Sequence, residues 1–183
     1  MRIGIDMDSV ITDTLSAVQK LNPKWSGESW DGGCTPAEYV ATWDLVAKTE
    51  NFWYNVSPLP CMDLEAFHLL RDLCARHDVF FVTDRFATSG KSPMNQTKYW
   101  LLQHGAVVMP NVLIAKDKGP MASVLELDAF IDDRPKNVLD VLAARPNARV
   151  YLCDSSHNKT FDDPRIPRVK DLKEFLKLIL EAN

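Results

Sequence analysis

Arg2-Ile3-Gly4-Ile5-Asp6-Met7-Asp8 opens the chain with a short apolar run that ends on two carboxylates. Continuous apolarity, without polar alternation, is the pattern of a strand covered on both faces. Four later runs share it: Val79-Phe80-Phe81-Val82, Val112-Leu113-Ile114-Ala115, Ala129-Phe130-Ile131 and Val150-Tyr151-Leu152-Cys153. Helical patterns lie between and after them. Leu64, Phe67, Leu70, Leu73 and Cys74 recur at helical spacing, and Ser92-Pro93 reads as an N-cap with proline in the first turn of a helix running to His104. Pro135 opens another, to Ala144, and Leu172, Phe175, Leu176, Ile179 and Leu180 trace one face of a last helix. Strands that alternate with helices pair in parallel through right-handed crossovers. The expected fold is therefore α/β: a Rossmann-like parallel sheet with helices on both faces.

Residues 14–60 break this rhythm. They hold Trp25, Trp30, Trp43, Phe52, Trp53 and Tyr54, and only Trp100 among the tryptophans lies elsewhere. A structureless loop of that length is unusual in a compact domain. The segment reads as a small helical cap inserted after the first strand, with Tyr39, Val40, Trp43, Leu45 and Val46 facing inward on one of its helices. Residues 1–13 and 61–183 then form the core domain and 14–60 the cap. The polar stretch 154–168, with Pro164 and Pro167 near its end, reads as a surface loop.

The 183 residues are 46% hydrophobic and 25% charged, enough to bury one core, and the net charge of −4 argues against wholesale coating of nucleic acid. Cys34, Cys61, Cys74 and Cys153 form no CxxC pair, which suits reduced thiols in the cytoplasm rather than a zinc site. The N-terminal apolar stretch carries Asp6, Asp8 and Asp13, unlike a signal peptide, and no apolar run approaches the ~20 residues that span a bilayer. His68, His77, His104 and His157 show no metal-ligand spacing and receive no role.

Ligands of open parallel sheets bind beyond the carboxyl ends of the strands. The first strand delivers Asp6 and Asp8 there, the second Thr83, Asp84 and Arg85, the third Lys116, Asp117 and Lys118, and the fourth Asp132, Asp133 and Arg134. Converging carboxylates need a counter-charge, and an oxygen-rich set suits Mg²⁺. The metal set expected is Asp6, Asp8 and one of Asp132 and Asp133. Such a metal lets a carboxylate approach an anionic phosphate ester. In the chemistry that follows, Asp6 attacks phosphorus and Asp8 protonates the leaving oxygen and later activates water. Thr83 and a lysine, 118 or 116, bind the phosphoryl oxygens.

Taken together, these segments resemble the haloacid dehalogenase superfamily. Ile3-Gly4-Ile5-Asp6-Met7-Asp8-Ser9-Val10-Ile11-Thr12-Asp13 is similar to its first motif and Phe81-Val82-Thr83-Asp84-Arg85 to its second. Lys118, in Lys116-Asp117-Lys118-Gly119, is similar to the third, and Ile131-Asp132-Asp133-Arg134-Pro135-Lys136-Asn137 to the fourth. Within the superfamily the chain looks most like the 5′(3′)-deoxyribonucleotidases. The resemblance implies a Mg²⁺-dependent phosphatase that dephosphorylates nucleoside monophosphates, with an aromatic cap pocket for the base. It favours Lys118 over Lys116, Asp132 as the metal ligand of the fourth motif, and Thr83, Asp84 and Lys118 as phosphate-binding residues. Asp133 and Arg85 would support them from behind, and Trp43, Phe52 and Trp53 are the candidates to stack on a base. Ser9 stands where the family carries glycine. The same chemistry on a sugar phosphate or a nucleic-acid end is the competing reading, and a homodimer is compatible with either. A receiver-like signalling module would carry its acidic pair first and its phosphoacceptor third, the wrong order here, and no GxGxxG or GxxxxGK follows the first strand.

Overall fold

The computed structural model describes residues 1–25, 34–105 and 107–181. Six strands form one parallel sheet: β1 (Arg2–Ile5), β2 (Asp78–Thr83), β3 (Asn111–Ile114), β4 (Ala129–Asp132), β5 (Arg149–Cys153) and β6 (Arg168–Val169). Their order is β3-β2-β1-β4-β5-β6. The order reverses at β1, so the crevice between β1 and β4 is the place where such a sheet binds ligands.

Eight α-helices accompany the strands among the described residues: α1 (Thr14–Leu21), α2 (Pro36–Lys48), α3 (Phe52–Asn55), α4 (Leu64–Arg76), α5 (Pro93–Gln103), α6 (Lys118–Val124), α7 (Pro135–Ala144) and α8 (Leu172–Glu181). Ile3, Ile5, Phe81 and Ile131 point to one face of the sheet, where Leu70 and Leu73 of α4, Trp100 of α5 and Phe175 and Ile179 of α8 cover them. Phe130, Val150 and Leu152 point to the other, against Ala122 of α6 and Val138 and Val141 of α7. The helices thus lie on both faces. Ser92 caps α5, its hydroxyl accepting from Asn95 N at 3.3 Å ahead of Pro93. None of the described helices is long and apolar enough to cross a membrane.

Two elements were not expected. Helix α6 begins Lys118-Gly119-Pro120, a poor helical sequence. It forms because Gly119 lets it approach α7 so closely that an added Cβ would lie 2.7 Å from the Asp140 carbonyl oxygen. Strand β6 pairs only Arg168 and Val169 with Leu152 and Cys153, and the preceding stretch contains a single 3-10 turn, Ser156–Asn158.

Residues 14–60 supply α1, α2 and α3, which share their own apolar cluster of Val18, Trp25, Val46, Phe52, Trp53 and Val56. Trp30 lies outside the described residues. The segment leaves and re-enters the core side by side: Asp13 N donates to Ser57 O and Leu59 N to Ile11 O. The inward face expected for α2 needs correction. Only Thr42 and Val46 are buried on this helix, whereas Tyr39, Val40 and Leu45 are 40%, 58% and 46% exposed. The reason is that Tyr39 and Val40 form a wall of a cleft, whereas Trp43 lines that cleft and also packs against the insertion's apolar cluster as expected.

Candidate active site

That cleft, about 370 Å³ in volume, opens over the carboxyl ends of β1 and β4. Its floor is made by Asp6, Asp8, Lys118 and Asp133, its rim by Asp44, Asp84 and Arg134, and its aromatic wall by Tyr39, Trp43, Trp53 and Phe86.

Asp6 follows β1 directly, and its backbone N–H donates to Ile131 O at 3.1 Å, which fixes it beside the end of β4. Asp132 ends β4, and Lys118 opens α6 after β3. The Lys118 ammonium lies between the two carboxylates, bonded to Asp6 Oδ1 and, at 2.8 Å, to Asp132 Oδ2. Asn137, one turn into α7, donates to both Asp132 oxygens at 3.0 Å, and Arg134 N adds a bond at 2.9 Å. Asp133 completes the group: one carboxylate oxygen each from Asp6, Asp132 and Asp133 lies within 4.8 Å of the others, all three residues being buried. His157 Nε2 stands 3.0 Å from Asp133 Oδ2, and Asn158 donates to the Asp133 carbonyl at 2.7 Å.

The electrostatics follow from this crowding. Burial, reinforced by Asp132, Asp133 and Asp8, drives the Asp6 carboxyl well above the usual carboxylate range against the opposing pull of Lys118. Burial alone would lower Lys118, but Asp132 and Asp6 together raise it above an ordinary lysine.

Asp8 sits in the opposite environment. Arg85 donates Nη2 to its Oδ1 at 2.8 Å and Nε to its Oδ2 at 3.1 Å. The hydroxyls of Thr12, Thr14 and Thr83 close around the same carboxylate. Burial raises the Asp8 carboxyl, but the charge and hydrogen bonds of Arg85, helped by Thr14 and Thr83, outweigh it and bring it down to about 2. Asp8 is therefore a firmly ionised carboxylate in this arrangement.

Set against the sequence-based expectations, Asp6, Asp8, Lys118, Asp132 and Asp133 do meet at one rim of the sheet, with Asp84 exposed at its edge. Lys116 is exposed, and it is Lys118 that turns inward. Three expected details differ. The carboxylate trio close enough to share a cation contains Asp133 in place of Asp8, because Arg85 and the three threonines draw the Asp8 side chain into a cage of their own. Thr83, expected on a phosphoryl oxygen, is fully buried and gives its proton to Asp8 Oδ2 at 2.9 Å. Phe52, expected to stack on a substrate, does not line the cleft and packs edge-on against Trp53, their ring centroids 4.9 Å apart.

Several residues escaped the sequence reading. Asn137 could have been found, since it stands one helical turn past the acidic doublet with an amide to offer. His157, Thr14 and Phe86 reach the site from loops and a helix start whose positions no local pattern reveals.

A parallel sheet with an acidic cluster and a lysine at its switch point, beneath a helical insertion, is the fold that haloacid dehalogenase-like hydrolases share. The chain belongs to the family described as 5′ nucleotidase, deoxy (Pyrimidine), cytosolic type C protein, whose model matches residues 1–183, and it is a phosphatase. No individually curated protein matches the sequence. Among solved structures, a haloacid dehalogenase-like hydrolase from Streptococcus pneumoniae superposes with a TM-score of 0.65 at 9% identity, covering 100% of this chain and 98% of that one. The D,D-heptose 1,7-bisphosphate phosphatase from B. bronchiseptica, crystallised with magnesium and phosphate, gives 0.58 at 13% identity over 100% and 99% of the two chains. L-2-haloacid dehalogenase from Xanthobacter autotrophicus gives 0.60 at 9% over 100% and 99%. At such identities the likeness is one of fold.

Proposed function

We propose that the chain is a Mg²⁺-dependent phosphomonoesterase that removes phosphate from nucleoside monophosphates, deoxynucleotides among them, through an aspartyl-phosphate on Asp6. The observation that carries this reading is the juxtaposition of the Asp6–Asp132–Asp133–Lys118 cluster with an aromatic wall in a single cleft. Carboxylate oxygens grouped within 4.8 Å are the hard donor set that Mg²⁺ favours. Bound there, Mg²⁺ would screen the charges that keep an anionic nucleophile from an anionic ester.

In this reading a carboxylate oxygen of Asp6 attacks phosphorus and the ester P–O bond breaks. Asp8 gives its proton to the departing oxygen, which leaves as an alcohol. A dianionic ester beside Asp8 disfavours the carboxylate charge, which is the condition for Asp8 to enter this step protonated. The ionised Asp8 then takes a proton from water, the resulting hydroxide attacks phosphorus, and the bond to Asp6 breaks to release inorganic phosphate. Lys118 neutralises charge on the phosphoryl oxygens while keeping Asp6 and Asp132 in register. Asn137 and Arg134 N hold Asp132, and Asp84 and Arg134 edge the entrance.

A cleft of about 370 Å³ suits a nucleoside-sized group, and Trp43, Tyr39 and Phe86 offer it aromatic surface, while Trp53 lines it but is only 2% exposed. Residues 14–60 act as the cap that carries most of this wall, over a core of residues 1–13 and 61–183. The test is phosphate release from a panel of nucleoside monophosphates and sugar phosphates with Mg²⁺ present. Deoxynucleoside monophosphates should be hydrolysed, and EDTA should abolish the activity. Turnover of a sugar phosphate with no nucleotide hydrolysed would discard the nucleotide assignment, and activity indifferent to EDTA would discard the metal.

A further inference from the structure

Arg85 is 1% exposed, a costly place for a guanidinium, and its polar groups all point inward. Nε and Nη2 grip the Asp8 carboxylate as a fork, Nη2 also donates to Thr12 Oγ1 at 3.0 Å, and Nη1 donates to Thr97 Oγ1 at 3.0 Å. The guanidinium carbon lies 5.0 Å from the centroid of the Trp53 ring. Trp53 is itself fixed, its Nε1–H donating to Phe86 O and its backbone N–H to Gln96 Oε1, both at 2.9 Å. The plane of Arg85 is thereby set by α5 on one side and by the insertion on the other.

We propose that Arg85 is a positioning residue for Asp8, aiming that carboxylate at the ester oxygen through a planar fork that no other side chain reproduces. The proposal rests on the proton-transfer role given to Asp8 above. It adds that the role depends on a residue out of reach of the substrate, since Arg85 stands behind Asp8 and does not line the cleft. Lysine would keep the charge but lose the two parallel bonds and the tie to Thr97.

Proton donation matters to an alkyl phosphate, whose alkoxide leaves badly, and little to p-nitrophenyl phosphate, whose phenolate leaves unaided. Losing the aim of Asp8 should therefore split the two substrates, which general loss of folded enzyme cannot do. Turnover should be measured for wild type, Arg85→Ala and Arg85→Lys on a nucleoside 5′-phosphate and on p-nitrophenyl phosphate, with thermal unfolding followed in parallel. We expect kcat/KM, which reports phosphoryl transfer to Asp6 and not the later hydrolysis of the aspartyl-phosphate common to both esters, to fall about 100-fold on the nucleotide in both variants and less than about 10-fold on the aryl ester. Added guanidinium ion should restore part of the lost nucleotide turnover in Arg85→Ala. Should Arg85→Ala fail to fold, Arg85→Lys decides by the same split. An equal fall on both esters, or no fall, overturns the proposal. Wild-type protein inert towards both esters would instead overturn the phosphatase mechanism beneath it, and the proposal with it.

Discussion

Asp6 and Asp8 are separated by one methionine, yet the fold surrounds them in opposite ways. At Asp6, three buried carboxylates crowd together with one ammonium that pairs with two of them, and burial lifts the Asp6 carboxyl well above its ordinary range. At Asp8, one carboxylate faces a buried guanidinium and three hydroxyls and is depressed to about 2. The first region is short of positive charge, which suits the divalent cation proposed for it. The second is already neutralised from within the protein. The raised Asp6 carboxyl therefore needs the proposed cation before it can act as a nucleophile, and the depressed Asp8 carboxylate needs an anionic ester beside it before it can give a proton.

The strongest way to break this contrast is chemical. In the mechanism proposed above Asp6 carries the phosphoryl group, so Asp6→Asn should lower turnover by roughly 10⁴-fold or more. Phosphate release under saturating substrate measures it, and near-normal turnover would remove Asp6 from the mechanism.

Stability should separate the two positions next, and in opposite directions. Asp8→Asn leaves the buried Arg85 without its anion, which should destabilise the protein by about 3 kcal/mol. Asp6→Asn removes a charge that burial disfavours and should stabilise the chelated protein by about 1 kcal/mol. The pH dependences have opposite signs. A depressed carboxyl such as Asp8 stabilises the fold above its unfolded value of ~3.9, and that contribution is lost as pH falls towards about 2. A raised one such as Asp6 favours the fold below ~3.9 and costs stability as pH rises through its folded value. Thermal unfolding in EDTA at pH 7 reads both variants, and two shifts of the same sign would sink the contrast.

The same pair shows how far the sequence could be read. That Asp6, Asp8, Lys118 and Asp132 would converge was legible, because each follows an apolar run and a parallel sheet brings strand ends together. What surrounds each carboxylate was not. Thr14 opens α1, Arg85 follows β2 and Thr97 lies on α5, and only tertiary packing brings Thr14 and Arg85 to Asp8 and Thr97 to Arg85. Helix α6 was hidden for a related reason: its first turn contains Gly119 and Pro120, and it is stabilised by fitting against α7 rather than by propensity. Periodicity found α2 but could not say that Tyr39 and Val40 face a cleft, since an apolar wall and an apolar core share one pattern. Phe52 and Trp53 are adjacent aromatics of equal promise in the sequence; both pack in the insertion's apolar cluster, and only Trp53 also reaches the cleft.

The smallest effect concerns the turn on which Asp6 and Asp8 part company. Ser9 has φ 64°, in the left-handed region, where its Cβ is crowded and glycine is not. The chain accepts this because the turn closes tightly behind the aspartates. Ser9 N donates to Thr12 O at 2.9 Å, while Ile11 N and Thr12 N both donate to Met7 O, at 2.9 and 2.8 Å. That closure delivers Thr12 Oγ1 to Asp8 and Arg85, so the strain at Ser9 accompanies the assembly of the Asp8 cage. Glycine at this position would relieve the crowding, though it adds freedom to the unfolded chain that folding must remove. The balance should leave Ser9→Gly more stable by about 0.5 kcal/mol, a rise in Tm of one or two degrees for a chain of this size. Because no Ser9 side-chain contact enters the cage, kcat and the pH profile should match wild type. A loss of stability in Ser9→Gly would mean that the serine hydroxyl supports the turn by more than the left-handed backbone costs it.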